Sequence, residues 1–264
     1  MHDILGRAGI ARDRVNRFGE NALAGDVACE ETVINSLLKS SLRFRVISEE
    51  HGTLDLAEDP EYLAVLDGID GSAEYVSGVG ARRYGTLLGI FAGTDPTYDD
   101  YIACGFMEHS TKRIYFAVKG EGAFLVDPVR TAGIRTSGKT ELDMDANIYV
   151  DECYEHNRMT FSEPLAQFLP NRKAFYGGIS AAVHFADVAS GKADLNLRCS
   201  GKNNLEPAVC YGLITEAGGV MVDAEGNSLG SKKYLTFGQN EQIPIITAAT
   251  PELASNLIVF LKKP

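Results

Sequence analysis

The chain has 264 residues, 45% of them apolar and 23% charged, with a formal net charge of −11, which suffices for one large domain or two smaller ones around a substantial core. The acidic balance argues against nucleic acid as the main partner, because a phosphate backbone needs a basic footprint. It leaves room for a small anionic substrate, since carboxylates with cations among them can make a locally positive pocket.

The opening stretch MHDILGRAGIARDRVNRFGE mixes charges into its apolar positions and does not build a signal peptide. Residues 26–41 carry Val27, Glu30, Val33, Ile34, Leu37 and Leu38 at helical spacing, predicting an amphipathic helix with Asp26 at its head. A strand at 44–50 (FRVISEE) follows, then a polar loop, then an apolar strand at 61–67 (EYLAVLD). Asp67 and Asp70 come next, at that strand's end. Between 84 and 126 four short strands separated by Asp, Pro, Gly and Ser-Thr turns predict an antiparallel meander.

The polar stretch 130–146 reads as a boundary, giving an N-terminal α+β unit over 1–140 and a C-terminal α/β unit over 141–264. In the second unit, strands near NIYVDE and KAFYGG alternate with helical patterns at SAAVHFADVASG and PAVCYGLITEAGG. Strands at GVMVD and PIITAAT and a final helix from PELASN follow. The expected fold class is a layered α+β or α/β sandwich of two sub-domains. No stretch approaches the ~20 consecutive apolar residues of a membrane span, so a cytoplasmic protein without a membrane partner is expected.

Five cysteines (29, 104, 153, 199, 210), an odd number without a CxxC pair, read as reduced core thiols. Five histidines are scattered without metal-ligand spacing, so any metal would take oxygen ligands. Three acidic groups stand at the edges of predicted elements: Asp26, Glu49 with Glu50, and Asp67 with Asp70. Singly, each has a structural explanation as a helix cap, solvated surface or tight turn. Together they suit hard cations, and two such ions ~4 Å apart hold both the attacking and leaving oxygens of a phosphoryl transfer.

ISEE followed by LDGIDGS, with YFAVKGEGAFL and EAGG further on, resembles the inositol monophosphatase superfamily, which includes archaeal and bacterial fructose-1,6-bisphosphatases and phosphoadenosine-phosphate phosphatases. The resemblance runs from about residue 20 to 250 and implies that family's layered fold. Carried over by residue, it implies that Glu49, Asp67 and the carbonyl of Ile69 hold one Mg2+, and that Asp67 bridges to a second held also by Asp70. Two or three such ions are implied, with Mn2+ as a substitute. The family's Trp-Asp pair opening a later helix falls on Leu205-Glu206, so Glu206 either reaches the second ion on a longer arm or leaves it weakly held.

Ser72 and Asp26 match the family's Thr–Asp pair that orients the attacking water, and Glu49 stands beside them. Gly71 and Ser72 would cradle phosphate at a helix start, with Ser180 and Ala181 also lining the substrate site. Cys199 replaces a glutamate that contacts inositol hydroxyls, which weakens the case for inositol phosphate. Arg198 either pairs with a second phosphate or is a surface arginine at a strand end. The resemblance thus implies a Mg2+-dependent phosphatase of small sugar or polyol phosphates, fructose 1,6-bisphosphate leading, working as a homodimer. The alternatives are a phosphatase of 3′-phosphoadenosine phosphate and a ligand-binding relative whose catalysis has decayed.

Overall fold

The computed structural model describes residues 6–12, 14–16, 19, 21–78, 82–151, 154–155, 158–159, 165, 175–176, 180–199, 204–239 and 242–262. Cys153, Ile179 and part of the KAFYGG strand fall outside them. A short ribbon, β1 (Arg14–Val15) against β2 (Asn21–Ala22), leads into helix α1 (Ala24–Leu38). The helix therefore starts two residues before the expected Asp26, and Leu23, not Asp26, occupies the cap position without a side-chain cap bond.

An eight-stranded sheet follows, in the order β10-β9-β8-β7-β6-β5-β3-β4. Its strands are β3 (Phe44–Ser48), β4 (Gly52–Asp55), β5 (Tyr62–Asp70), β6 (Gly85–Ala92), β7 (Tyr101–Glu108), β8 (Arg113–Val118), β9 (Gly122–Val126) and β10 (Thr131–Ile134). β3 and β5 run parallel, and β5 through β10 form an antiparallel meander. β5 is buried from Leu63 to Asp70. Its successive side chains feed opposite cores: Leu63 and Val65 join one apolar cluster, Ala64 and Leu66 another built with Ile34 and Leu37 of α1. A strand covered on both faces is apolar throughout, which is why this run shows no alternation.

The second sheet has the order β14-β11-β15-β17-β16. It comprises β11 (Ile148–Val150), β14 (Phe175–Tyr176), β15 (Leu195–Cys199), β16 (Val220–Asp223) and β17 (Pro244–Ala248), with a separate ribbon of β12 (Tyr154–Glu155) and β13 (Arg158–Met159). α2 (Ser72–Ser77) follows β5; α3 (Ala181–Ala189) and α4 (Leu205–Glu216) lie between the sheets, and α5 (Pro251–Leu261) covers the far face of the second. Alternation on β17 shows the layering: Ile245 joins the cluster with α3 and α4, while Ile246 and Ala248 join the one with Leu253 and Leu257 of α5. The layers run helix, sheet, helix pair, sheet, helix. α5 begins as its TPEL sequence predicts, with Thr250 Oγ1 accepting from the Leu253 N–H at 3.1 Å and Pro251 in the first turn.

Two sequence expectations change. Cys29, Cys104 and Cys210 are free and buried, but Cys199 is disulfide-bonded; an odd count without a local motif leaves room for one long-range pair. The helical pattern that begins at Pro207 starts two residues earlier in the structure, at Leu205, where Asn204, at φ 53° and ψ 35°, turns the chain into α4. Among the described residues no helix is long and apolar enough to cross a membrane.

Candidate active site

The starts of four helices converge at one end of the large sheet. Asp26 is the third residue of α1, Ser72 the first of α2, Ser180 the cap of α3 and Glu206 the second of α4. Helix starts carry partial positive charge, so the fold gathers favourable backbone ends around a group of acids.

β5 brings Asp67 and Asp70 into this region by an irregularity. Asp67 pairs with Leu87 and Asp70 with Gly85, three steps on β5 against two on β6. In a regular strand, residues three apart point to opposite faces. The extra residue returns Asp70 to the side of α3 and α4, as bulges beside functional sites do. The strand therefore continues through both aspartates, where the sequence reading ended it at Asp67.

Asp70 Oδ2 accepts from the Ala182 N–H at 2.7 Å and from the Ser180 hydroxyl, so it anchors the start of α3, which Ala181 opens as a buried residue. Gly71 between Asp70 and α2 has φ +91°, and a Cβ there would lie 2.8 Å from Cβ of Ser180. Both conformation and space require glycine.

Asp26 is 2% exposed. Its Oδ1 accepts from the Ile69 N–H at 2.9 Å, and its Oδ2 lies 3.4 Å from Ser72 Oγ, which also donates to the Ile69 carbonyl at 3.0 Å. A Cβ on Gly68 would meet Asp26 Oδ1 at 2.3 Å, so the glycine lets α1 press against the strand. Behind it, Thr86 Oγ1 donates to the Gly68 carbonyl at 2.6 Å, leaving its lone pairs for His109 Nε2 at 2.9 Å. Glu49 sits in the turn after β3. A cavity of about 460 Å3 opens between the Asp26–Glu49–Ser72 group and the N-terminal ribbon, which contributes Arg12, Asn16 and Asn21.

Burial, then the charges of Glu49, Asp26, Asp70 and Glu206, push the Asp67 carboxyl well above the usual range. Burial, then Glu49, Glu50 and Glu30, do the same to Asp26. Asp70 is raised to about 6 by burial and by Glu206, against the pull of its hydrogen bonds and of Arg198. Arg198 is 7% exposed, which excludes the surface reading; its Nη2 lies 3.5 Å from Glu206 and 3.9 Å from Asp151.

Among the described residues no group of three or more His, Cys, Asp or Glu side chains is drawn close enough to hold a metal ion as it stands. The acids nevertheless fit hard cations. Asp67 Oδ1 and Glu206 Oε2 are buried without a hydrogen-bond partner, a costly state for a carboxylate oxygen unless a cation or proton offsets it. An all-oxygen donor set is the kind that Mg2+ takes.

The structure thus brings Asp26, Glu49, Asp67, Ile69, Asp70, Gly71, Ser72, Ser180, Ala181, Arg198 and Glu206 into one neighbourhood. Sequence reasoning missed the ribbon residues Arg12 and Asn16, whose amide donates to Glu50 Oε1 at 3.3 Å. It also missed a role for Glu30, which accepts from the backbone of Glu50 and His51. Glu30 had a signal, an acid on the apolar stripe of a helix; the ribbon residues had none.

The sequence profile of the inositol monophosphatase family matches residues 12–257. A fructose-1,6-bisphosphatase/inositol-1-monophosphatase of Methanothermobacter thermautotrophicus is 26% identical over 217 residues, 77% of this chain and 71% of that protein. A bifunctional NADP phosphatase/NAD kinase of Methanocaldococcus jannaschii is 25% identical over 237 residues, 80% of this chain but 39% of that protein. The crystal structure of an inositol monophosphatase–fructose 1,6-bisphosphatase superposes with a TM-score of 0.73 at 22% identity, covering 98% of this chain and 93% of the other.

Proposed function

We propose that this chain, which belongs to the inositol monophosphatase family, is a Mg2+-dependent phosphatase of small phosphorylated metabolites, with fructose 1,6-bisphosphate as the leading substrate. The observation that carries this reading is the uncompensated acid group, above all the buried, unpartnered oxygens of Asp67 and Glu206. Glu49, Asp67, the Ile69 carbonyl, Asp70 and Glu206 would hold the ions. Once bound, Mg2+ neutralises phosphoryl charge and lowers the pKa of the attacking water.

The chain's own groups do the rest. Asp26 keeps Oδ1 on the Ile69 N–H, which leaves Oδ2, beside the Ser72 hydroxyl, to orient the water and take its proton. Backbone N–H groups at Gly71 and Ser72 receive phosphate oxygens, and Arg12 supplies a positive side chain at the cavity wall. Arg198 sits against Glu206 and tempers its charge. Inositol phosphate is disfavoured, because Cys199 is tied in a disulfide and offers no acceptor for a ring hydroxyl. The resemblance to an NADP phosphatase supports a second reading, removal of a nucleotide's ribose phosphate.

A panel of fructose 1,6-bisphosphate, myo-inositol 1-phosphate, NADP and 3′-phosphoadenosine 5′-phosphate, scored for released phosphate with MgCl2 and again with excess EDTA, tests both. Magnesium-dependent release, fastest from the sugar bisphosphate, is expected. Fastest release from either nucleotide installs the second reading, and undiminished turnover in EDTA overturns the metal assignment.

A further inference from the structure

Glu30 lies one helical turn after Asp26 on α1 and is fully buried, at 0% exposure. Its Oε1 accepts from the Glu50 N–H at 3.1 Å and its Oε2 from the His51 N–H at 3.2 Å. His51 Nδ1 also lies 2.7 Å from Oε2. A carboxylate oxygen cannot donate, so that ring nitrogen carries the proton in this pair. Three donors thus converge on one carboxylate, and all belong to the turn that directly follows Glu49. The Glu30 Cγ also occupies space 3.0 Å from where a Cβ on Gly68 would stand. One buried side chain therefore joins the helix that carries Asp26, the turn that carries Glu49 and the strand that carries Asp67.

We infer that Glu30 is a positioning residue for Glu49, acting through the backbone of residues 50 and 51 to hold the Glu49 carboxylate where it serves a cation; this rests on the metal reading proposed above. The turn has no regular structure of its own, since β3 ends at Ser48 and β4 begins at Gly52. Its amides need acceptors: Glu30 provides two oxygens aimed at successive N–H groups, and Ser48 Oγ shares the His51 N–H at 3.2 Å. Glutamine would fail here, because one of its two terminal atoms is a donor and would face an N–H. Outer groups that orient metal ligands typically matter by about 10–100-fold in metal affinity.

Glu216 supplies a matched control. It too accepts two backbone N–H groups, from Gly120 at 2.8 Å and Gly122 at 2.9 Å, and a side-chain donor, the Tyr101 hydroxyl at 2.7 Å. It stands at the far end of α4 from Glu206.

The experiment is calorimetric titration of metal-stripped protein with MgCl2 alone, alongside thermal denaturation, for wild type, Glu30→Gln, His51→Ala and Glu216→Gln. Glu30→Gln is expected to bind Mg2+ about tenfold or more weakly. His51→Ala, which removes one donor of three, should lose less. Glu216→Gln should lose thermal stability yet keep wild-type Mg2+ affinity. Wild-type affinity in Glu30→Gln overturns the inference, and so does an equal loss in Glu216→Gln, which would make the effect one of general stability. If Glu30→Gln does not fold, His51→Ala decides: weakened binding supports the role and unchanged binding overturns it. Absence of Mg2+ binding by the wild type overturns the metal reading itself, and the inference with it.

Discussion

Among the described residues, the buried acids around Asp67 and the buried pair Glu108 and Asp187 are treated in opposite ways. Glu108 and Asp187 share Arg83, whose Nε and Nη2 reach Glu108 Oε2 at 3.0 and 2.8 Å and whose Nη1 and Nη2 reach the two Asp187 oxygens at 2.7 and 3.0 Å. Lys192 and the Tyr149 hydroxyl add further donors to Asp187 at 3.3 and 3.0 Å. Burial alone would raise Asp187, yet these partners hold its carboxyl below the usual range. Asp67, equally buried, is pushed up, since its surroundings are acids. Burial does not distinguish the two acids; the sign of their neighbours does.

That contrast can be broken most sharply at Asp67. Asp67→Asn is expected to lower turnover by a factor of about a thousand or more, a loss of roughly 4 kcal/mol in the transition state. In EDTA the same variant should melt at or above the wild-type temperature, because one of several repelling buried charges has gone. A rate within threefold of wild type, or a clear loss of metal-free stability, would show that Asp67 behaves like the acids around Arg83.

Arg83→Met should do the reverse. It strands Glu108 and Asp187 without their shared cation, and removal of one partner from a buried pair costs about 3–5 kcal/mol; with Arg83 one-third exposed, the lower end is expected. Urea denaturation measures this, and a change below about 1 kcal/mol would mean that the cluster is held by packing alone.

The smallest effect concerns His184, which stacks on Tyr149 at 4.2 Å and carries a buried Nε2 without a partner. Burial, then the nearby positive charge of Arg198, lowers its pKa to about 4. The unfolded chain binds this proton near 6.5, so the stability contribution is complete above that value and is lost as pH falls towards 4. Wild type should lose about 1–3 kcal/mol more than His184→Phe between pH 6.5 and 4. Parallel stability curves for the two proteins would remove the histidine from this account.

The sequence shows the acids more readily than their arrangement. The run YLAVLD is legible as a buried strand because both its faces need apolar side chains, and the meander is legible from its turns. The spacing of Asp67 and Asp70 draws attention, but their common orientation depends on a slip against β6 that no local pattern records. Asp26 reads as a helix cap, although its carboxylate turns instead to the Ile69 amide. Arg198 reads as exposed or substrate-facing, and only the close approach of α4 shows it buried beside Glu206. The ribbon before α1 places Asn16 on Glu50 through contacts 34 positions apart, beyond the reach of periodicity.

The extra residue on β5 also makes chain length a constraint, separate from residue identity. Exchanging Ile69 for another apolar side chain preserves the count between the two aspartates. Gaining one residue in β6 between Gly85 and Leu87 would restore even pairing, three steps against three, and turn Asp70 toward α1. Ser180 and the Ala182 amide would then lose the carboxylate that anchors α3. A single-codon insertion there would therefore reach a helix that begins more than a hundred positions after Asp70, whereas variation in the polar stretch 137–143 lies outside every strand and helix and meets no such rule.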